Sequence, residues 1–253
     1  MTKLTFLGTG TSQGVPMIGC GCDVCRSSDP RDMRLRASVL VEHEGLAILV
    51  DAGPDFRQQM LRADVSHVDA ILLTHNHKDH TGGLDDIRAF NYHEKKASQI
   101  YCEKYVEDAL RMEYSYAFAE KKYPGAPEWD VHIIDEKPFS INGVEIIPIR
   151  GMHYKLPVLG YRFGNIAYCT DMNHIPEEEF AKLQGLDHFV INCVKYGKHI
   201  SHYSLEEAVA VAQRVGAKHS WLTHLSHRLP CYETLAAKLP AGILPAYDGL
   251  VLE

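Results

Sequence analysis

The stretch Thr74-His75-Asn76-His77-Lys78-Asp79-His80 reads H-x-H-x-D-H and follows the apolar run Ala70-Ile71-Leu72-Leu73. No other feature of the chain restricts its fold as much. A short continuous apolar run reads as a buried strand. On an extended chain, side chains two apart point the same way, so His75 and His77 can converge on one ion as the chain leaves the strand. Asp79 and His80 follow where the chain turns toward a helix expected near Gly82-Gly83-Leu84. They face another direction and can serve a second ion close by. Two neighbouring ions can share one activated water and hold both the attacking and the leaving oxygen of a displacement. Loop histidines are common and mostly idle, but three of them and an aspartate crowded behind an apolar strand point to metal.

The rest of the chain repeats that design. Strands are expected at 38–42, 47–50, 131–134, 144–149, 158–163, 166–169, 189–191 and 220–223, and several end on a residue with metal-binding chemistry. Asp51 follows the strand ending at Val50, His153 follows 144–149, Asp171 follows 166–169, and His224 follows Thr223. Asp51 has two readings: a turn former, or a carboxylate that orients a metal-bound histidine. Imidazole and carboxylate together suit zinc, manganese or iron. Asn142-Gly143 marks a hairpin. Ser204-Leu205-Glu206-Glu207 fits a capping box opening a helix to about Val215, and His202 lies just before that cap. His202 reads either as a solvent-facing loop residue or as a proton donor near the site. Lys155 is a weaker candidate for substrate contact, since most lysines are simply solvated.

Three thiols, Cys20, Cys22 and Cys25, fall within a loop at about 18–36. Thiolates select zinc, and a structural zinc takes four protein ligands, so a fourth must come from elsewhere. The chain has 7 cysteines and no signal-peptide pattern, which fits metal binding in a reducing, cytoplasmic compartment better than a disulfide framework. Residues 26–36 are polar and are expected to be an exposed loop. The Gly-rich stretch Gly8-Thr9-Gly10-Thr11-Ser12-Gln13-Gly14 lacks the lysine of a phosphate-cradling loop. It is either a set of tight turns or one wall of the site. Helices are expected at 55–63, 84–92, 104–119 and 176–183. Aromatics between Tyr105 and Trp129 either seat the helix at 104–119 on the core or form a lid or dimer surface, making about 92–130 a possible lid or insert and a homodimer conceivable.

With 253 residues and no internal linker or repeat, the chain is expected to be one domain spanning 1–253. No apolar run reaches membrane-spanning length, so no membrane partner is expected. The net charge of −7 supplies no basic excess to neutralise a long nucleic acid, which argues against such a partner.

The order Asp51, His75 to His80, His153, Asp171, His224 resembles that of the metallo-β-lactamase superfamily of hydrolases, over nearly the whole chain. That resemblance implies an α/β fold of four layers, an αββα sandwich, with a dinuclear site. It implies that His75, His77 and His153 bind one metal, that Asp79, His80 and His224 bind the other, and that Asp171 bridges them, with Asp51 behind the ligands. The loop Gly8 to Pro16 followed by Gly19-Cys20-x-Cys22-x-x-Cys25 is similar, more closely, to the PhnP-like phosphodiesterases of that superfamily. This implies a structural zinc with His227 as fourth ligand, His202 as general acid, Asp79 within the catalytic set, and manganese or zinc as the active-site pair. The implied reaction is hydrolysis of a small cyclic phosphodiester such as a ribosyl 1,2-cyclic phosphate. The same scaffold also carries RNA-processing phosphodiesterases, lactonases and thioesterases. Residues 113–129 depart from the family pattern.

Overall fold

The computed structural model describes residues 2–253. An antiparallel meander opens the chain: β1 (Thr2–Gly8), β2 (Ser38–His43) and β3 (Leu46–Val50). Parallel strands β4 (Ala70–Leu72), β5 (Ser98–Cys102) and β6 (Trp129–Ile133) extend it. The second sheet repeats the plan. After an edge strand β7 (Phe139–Ile141) come antiparallel β8 (Val144–His153), β9 (Leu156–Phe163) and β10 (Ile166–Cys169). Parallel β11 (His188–Asn192), β12 (His219–Thr223) and β13 (Ile243–Pro245) follow. A last strand, β14 (Val251–Leu252), returns to β1, giving two seven-stranded sheets.

Three hydrophobic clusters define the layers. Leu4, Phe6, Val41, Ile48 and Leu72 of the first sheet meet Ile146, Tyr161, Phe163 and Tyr168 of the second in one core between the sheets. The opposite face of the first sheet, Leu49 and Ile71 among others, is covered by α1 (Phe56–Arg62), α3 (Arg88–Glu94) and α4 (Lys104–Glu113). The outer face of the second, with Ala167, Phe189 and Leu222, is covered by a 3-10 helix at Glu177–Leu183, by α5 (Leu205–Val215) and by α6 (Tyr232–Ala236). The architecture is therefore the expected αββα sandwich. A short α2 (Lys78–Thr81) leaves the end of β4. Both faces of β4 are buried, which is why its sequence reads as an unbroken apolar run rather than an alternating one. Asn142 and Gly143 both take positive φ, 49° and 88°, as a two-residue hairpin turn requires. The capping box on α5 is present in both directions between Ser204 and Glu207.

Four expectations need correction. The stretch 92–130 is no lid or separate insert over most of its length, because it contributes β5, α4 and β6 to the first sheet and its outer layer. Its aromatics are tied inward: the Tyr105 hydroxyl donates to Pro157 O at 2.6 Å and the Tyr114 hydroxyl to Thr81 O at 2.9 Å. The helix expected to reach residue 119 stops at Glu113, where Tyr114 leaves helical geometry, and a 3-10 turn at Ser115–Ala117 follows. The helix expected at 176–183 is a 3-10 helix. Residues 26–36 are not uniformly exposed: Asp32 and Arg34 are buried, and Arg34 donates to Thr9 Oγ1 and to Ala246 O, tying the loop to the sandwich. Among the described residues no helix is long and apolar enough to cross a membrane.

Candidate metal centre

The strand ends bring the site together. Asp51 follows β3, Asp171 lies two residues beyond β10 and His224 follows β12; all three are buried. Each takes a left-handed backbone, with φ of 64°, 57° and 55°. A non-glycine residue there costs on the order of 1–3 kcal/mol, a strain that folded proteins tend to concentrate at functional sites. Gly53 lets the loop after Asp51 touch the motif: a Cβ at that position would sit 2.0 Å from Asp79 O.

His75, His77 and His153 each offer one ligand atom, all within 4.8 Å of one another. Asp79, His80, Asp171 and His224 form a second such group, and His153, Asp171 and His202 a third. The contacts in the second group are short. His80 Nε2 lies 3.1 Å from Asp171 Oδ2 and 3.3 Å from Asp79 Oδ2, and His224 Nε2 lies 3.2 Å from Asp171 Oδ1. Atoms held by one cation on arms of about 2.1 Å would be spaced by roughly 3.0–3.4 Å.

The donor chemistry fits a cation. His80 Nδ1 donates to Asp51 Oδ2 at 2.6 Å, and His153 Nδ1 donates to Ser201 O at 2.8 Å, since neither acceptor can donate. Thr74 Oγ1 donates to Asp51 and sits 2.9 Å from His75 Nδ1, from which it can accept. With their Nδ1 hydrogens so engaged, His75, and His80 when its second proton is displaced, present bare Nε2 lone pairs inward. Those two atoms, and both ring nitrogens of His224, are buried with no hydrogen-bond partner. A lone pair facing a buried carboxylate oxygen at 3.1 Å is repulsive unless a positive charge lies between them. Burial opposes a charge on His80, but Asp171, Asp79 and Asp51 overcome it and hold its pKa well above 6.5. Divalent cations can take the place of that proton. Burial likewise opposes ionisation of Asp171, yet His224 and His80 hold its pKa well below the usual range.

The thiol loop forms a separate cradle. Cys20, Cys22, Cys25 and His227 place their ligand atoms within 4.8 Å of one another. His227 Nδ1 is 3.2 Å from Cys20 Sγ and 3.6 Å from Cys22 Sγ. Thiolates around a tetrahedral zinc would stand roughly 3.8 Å apart. The Cys25 backbone N–H, followed by His227, brings the Cys22 thiol down to about 6, so one thiolate is already favoured. Burial pushes Cys25 up to about 11. Of the remaining cysteines, Cys102, Cys169 and Cys193 are buried and Cys231 is only half-buried.

His202 is drawn into the centre. Its Nδ1 is 3.7 Å from Asp171 Oδ1, and its ring lies 4.5 Å from that of His153 and 4.8 Å from that of His224. Burial, then His224, brings its pKa down to about 3. Lys155 is exposed on the rim of a cavity of about 480 Å³ that also includes His77, Tyr154, Leu156 and Ile200. A second cavity, of about 520 Å³, lies on the His202 and His224 side and is walled in part by Thr11 and Gln13 of the Gly-rich loop. That loop therefore serves both readings, as tight turns and as a wall. Sequence reasoning missed Thr74 and His199. Thr74 carried a signal, a hydroxyl between the apolar run and the first histidine. The ring of His199 stacks on that of His202 at 5.0 Å, and its spacing from His202, His-x-x-His, was visible but unexplained.

Two facing mixed sheets with an imidazole and carboxylate centre at their strand ends define the metallo-β-lactamase fold. The chain belongs to the β-lactamase superfamily, whose domain matches residues 47–225. A solved structure described as a new diphosphatase from the PhnP family is 40% identical, with a TM-score of 0.93, covering 100% of this chain and 98% of that one. Zinc-bound PqqB from Methylobacterium extorquens, at 18% identity, TM-score 0.81 and 99% coverage of each chain, shares the fold. A curated relative from Porphyromonas gingivalis named octanoyltransferase is 42% identical over 251 residues, 98% of this chain but 51% of that protein. The chain spans about half the length of that relative, and half of the PQQ synthesis protein B of Methylococcus capsulatus, to which it is 29% identical over 156 residues, 56% of this chain.

Proposed function

We propose that this hydrolase is a phosphodiesterase acting on small diesters, a cyclic one such as a ribosyl 1,2-cyclic phosphate being the type of substrate it takes. The observation that carries the reading is the pair of buried imidazole nitrogens, on His80 and His224, held without hydrogen bonds against Asp171. Likeness to the PhnP-family diphosphatase supports phosphoryl rather than acyl chemistry. In this reading His75, His77 and His153 would hold one divalent ion and Asp79, His80 and His224 another, with Asp171 available to both; zinc or manganese would suit these donors, and the thiol cradle would hold a zinc. Bound there, two divalent cations would supply Lewis acidity to the phosphoryl oxygens and bring the pKa of water toward neutrality.

The chain's own residues do the remainder. Asp51, Thr74 and the Ser201 carbonyl fix the tautomer and tilt of the ligand rings, so that the inward nitrogens stay bare. His202, left neutral by a pKa of about 3, would first gain a proton as the anionic substrate binds beside it and then donate to the leaving oxygen. The acyl alternative, a lactonase or thioesterase, has the name of the Porphyromonas gingivalis relative in its favour, and that relative extends well beyond the matched region. Bis-p-nitrophenyl phosphate assayed beside a lactone and a thioester separates the two. Turnover of the diester is expected; turnover of the lactone or thioester with an inert diester would overturn the reading.

A further inference from the structure

Asp171, Met172 and Asn173 follow the end of β10, and the hydrogen bonds of this segment run in two directions. Behind the centre, the Asn192 carboxamide accepts from Met172 N at 2.7 Å and donates to Met172 O at 2.9 Å, so the backbone beside Asp171 is held from the second sheet. Toward solvent, the Asn173 carboxamide reaches two other segments. Its Oδ1 accepts from Tyr154 N at 3.0 Å, and its Nδ2 donates to Ile200 O at 3.0 Å. Tyr154 follows His153, and Ile200 lies two residues before His202. One side chain therefore joins the turn after one ring to the chain before the other.

Few other contacts hold that chain in place. From Lys195 to Ser201 no residue is buried, so apolar packing does not fix this part of the loop between β11 and α5. Among the described residues, two hydrogen bonds reach 198–201 from outside the loop: the one from Asn173, and the one from His153 Nδ1 to Ser201 O at 2.8 Å. They meet adjacent carbonyls. On the other arm, Tyr154 takes a left-handed φ of 58°, which a tyrosine holds only where its surroundings fix it. A carbonyl only accepts and a backbone N–H only donates, so the two arms need an acceptor and a donor on one short stem. A carboxamide supplies both; a carboxylate would keep the arm to Tyr154 and lose the arm to Ile200.

Resting on the reading of His202 as the proton donor of a phosphodiesterase, we propose that Asn173 is a positioning residue. Its carboxamide holds the loop that carries His202 against the turn that follows His153, and so fixes the His202 ring beside the leaving oxygen. It acts through those two segments rather than on the substrate. Both bonds lie at the surface, so their loss should alter the stability of the sandwich little. Displacing a proton donor by about 1 Å, by contrast, can cost on the order of 10²-fold in rate.

The test uses the zinc-loaded full chain and its Asn173→Ala and Asn173→Asp variants. Proton NMR reads the clamp without substrate. The Nδ1 proton of His153, bonded to Ser201 O, should give a sharp downfield line in the native protein. In Asn173→Ala that line should broaden or vanish, while the line of the His80 Nδ1 proton, bonded to Asp51, stays sharp. Kinetics read the consequence. Asn173→Ala should lower kcat by roughly 10- to 100-fold on methyl phenyl phosphate, whose basic leaving group needs a proton, and leave bis-p-nitrophenyl phosphate nearly untouched. Zinc content and Tm should hold. Asn173→Asp should behave like the alanine variant, since the donor to Ile200 is gone. In a His202→Ala background, Asn173→Ala should cost little more, because the group it places is already missing. A His153 line absent from the native spectrum, or unchanged in Asn173→Ala, would overturn the clamp whatever the substrate proves to be. Equal losses on both diesters, or a full further loss in the His202→Ala background, would overturn its action through His202. If the His153 line responds as stated but the native protein cleaves neither diester, the phosphodiesterase reading fails and the clamp stands.

Discussion

Asp51 and Asp171 stand at corresponding places in the two halves of the sandwich. Each lies within two residues of the third strand of an antiparallel meander, each is buried, and each has a left-handed φ. Their surroundings divide them. Asp51 accepts from Thr74 N at 2.9 Å, from Thr74 Oγ1 and from His80 Nδ1. Asp171 accepts one hydrogen bond, from Thr170 Oγ1 at 2.7 Å, and otherwise faces the bare Nε2 atoms of His80 and His224. Burial raises the pKa of Asp51, while the imidazoles hold that of Asp171 down. One backbone device thus produces two roles: a carboxylate already satisfied by donors orients a ring, and one left short of donors is available to cations. The next strands diverge as well. β4 runs into H-x-H-x-D-H, whereas β11 ends at Asn192, whose side chain accepts from Met172 N and donates to Met172 O.

The contrast can be broken by substitution. Asp171→Ala should release both active-site ions and lower kcat/KM on the order of 10³-fold or more, since several kcal/mol of charge stabilisation go with them. Metal content and bis-p-nitrophenyl phosphate kinetics read both effects. His202→Ala should reduce turnover by roughly 10²–10⁴-fold on an alkyl leaving group and by less on nitrophenolate. Equal rates for variant and native protein on both substrates would remove His202 from proton transfer. Asp51→Asn should cost only about 10- to 100-fold in metal affinity or activity, as loss of a ring-orienting partner does. A defect as deep as that of Asp171→Ala would erase the distinction drawn between the two carboxylates. Smallest in its effect on the centre, Cys22→Ala should remove one zinc per chain and lower the Tm while the dinuclear pair stays bound. His75→Ala should do the converse, and elemental analysis of the two variants separates the cradles.

Much of this was legible in the residues. Strand β4 announces itself because both its faces are buried, and the ligand-type residues beyond β3, β10 and β12 and at the last position of β8 mark one edge of the sheets. The difference between Asp51 and Asp171 was not legible from their neighbours, because it rests on the donors that the tertiary fold delivers to each. Nor was the burial of Arg34, which depends on a carbonyl more than two hundred residues away. The stretch 92–130 allowed two readings for a related reason. Its aromatics suit a lid as well as a core, and only pairing of β5 to β4 and of β6 to β5 decides between them. The His-x-x-His spacing of His199 and His202 has no evident purpose until the loop after β11 stacks the two rings beside the centre.

The central claim is that the inward imidazole nitrogens meet a pair of cations bridged by Asp171. Anomalous difference density at the metal absorption edges tests it most directly. The account predicts two peaks roughly 3.5–4 Å apart, flanking Asp171, and a third among Cys20, Cys22, Cys25 and His227. A map with no peak beside His80 and His224, whose Nε2 atoms instead hydrogen-bond to water, would contradict it.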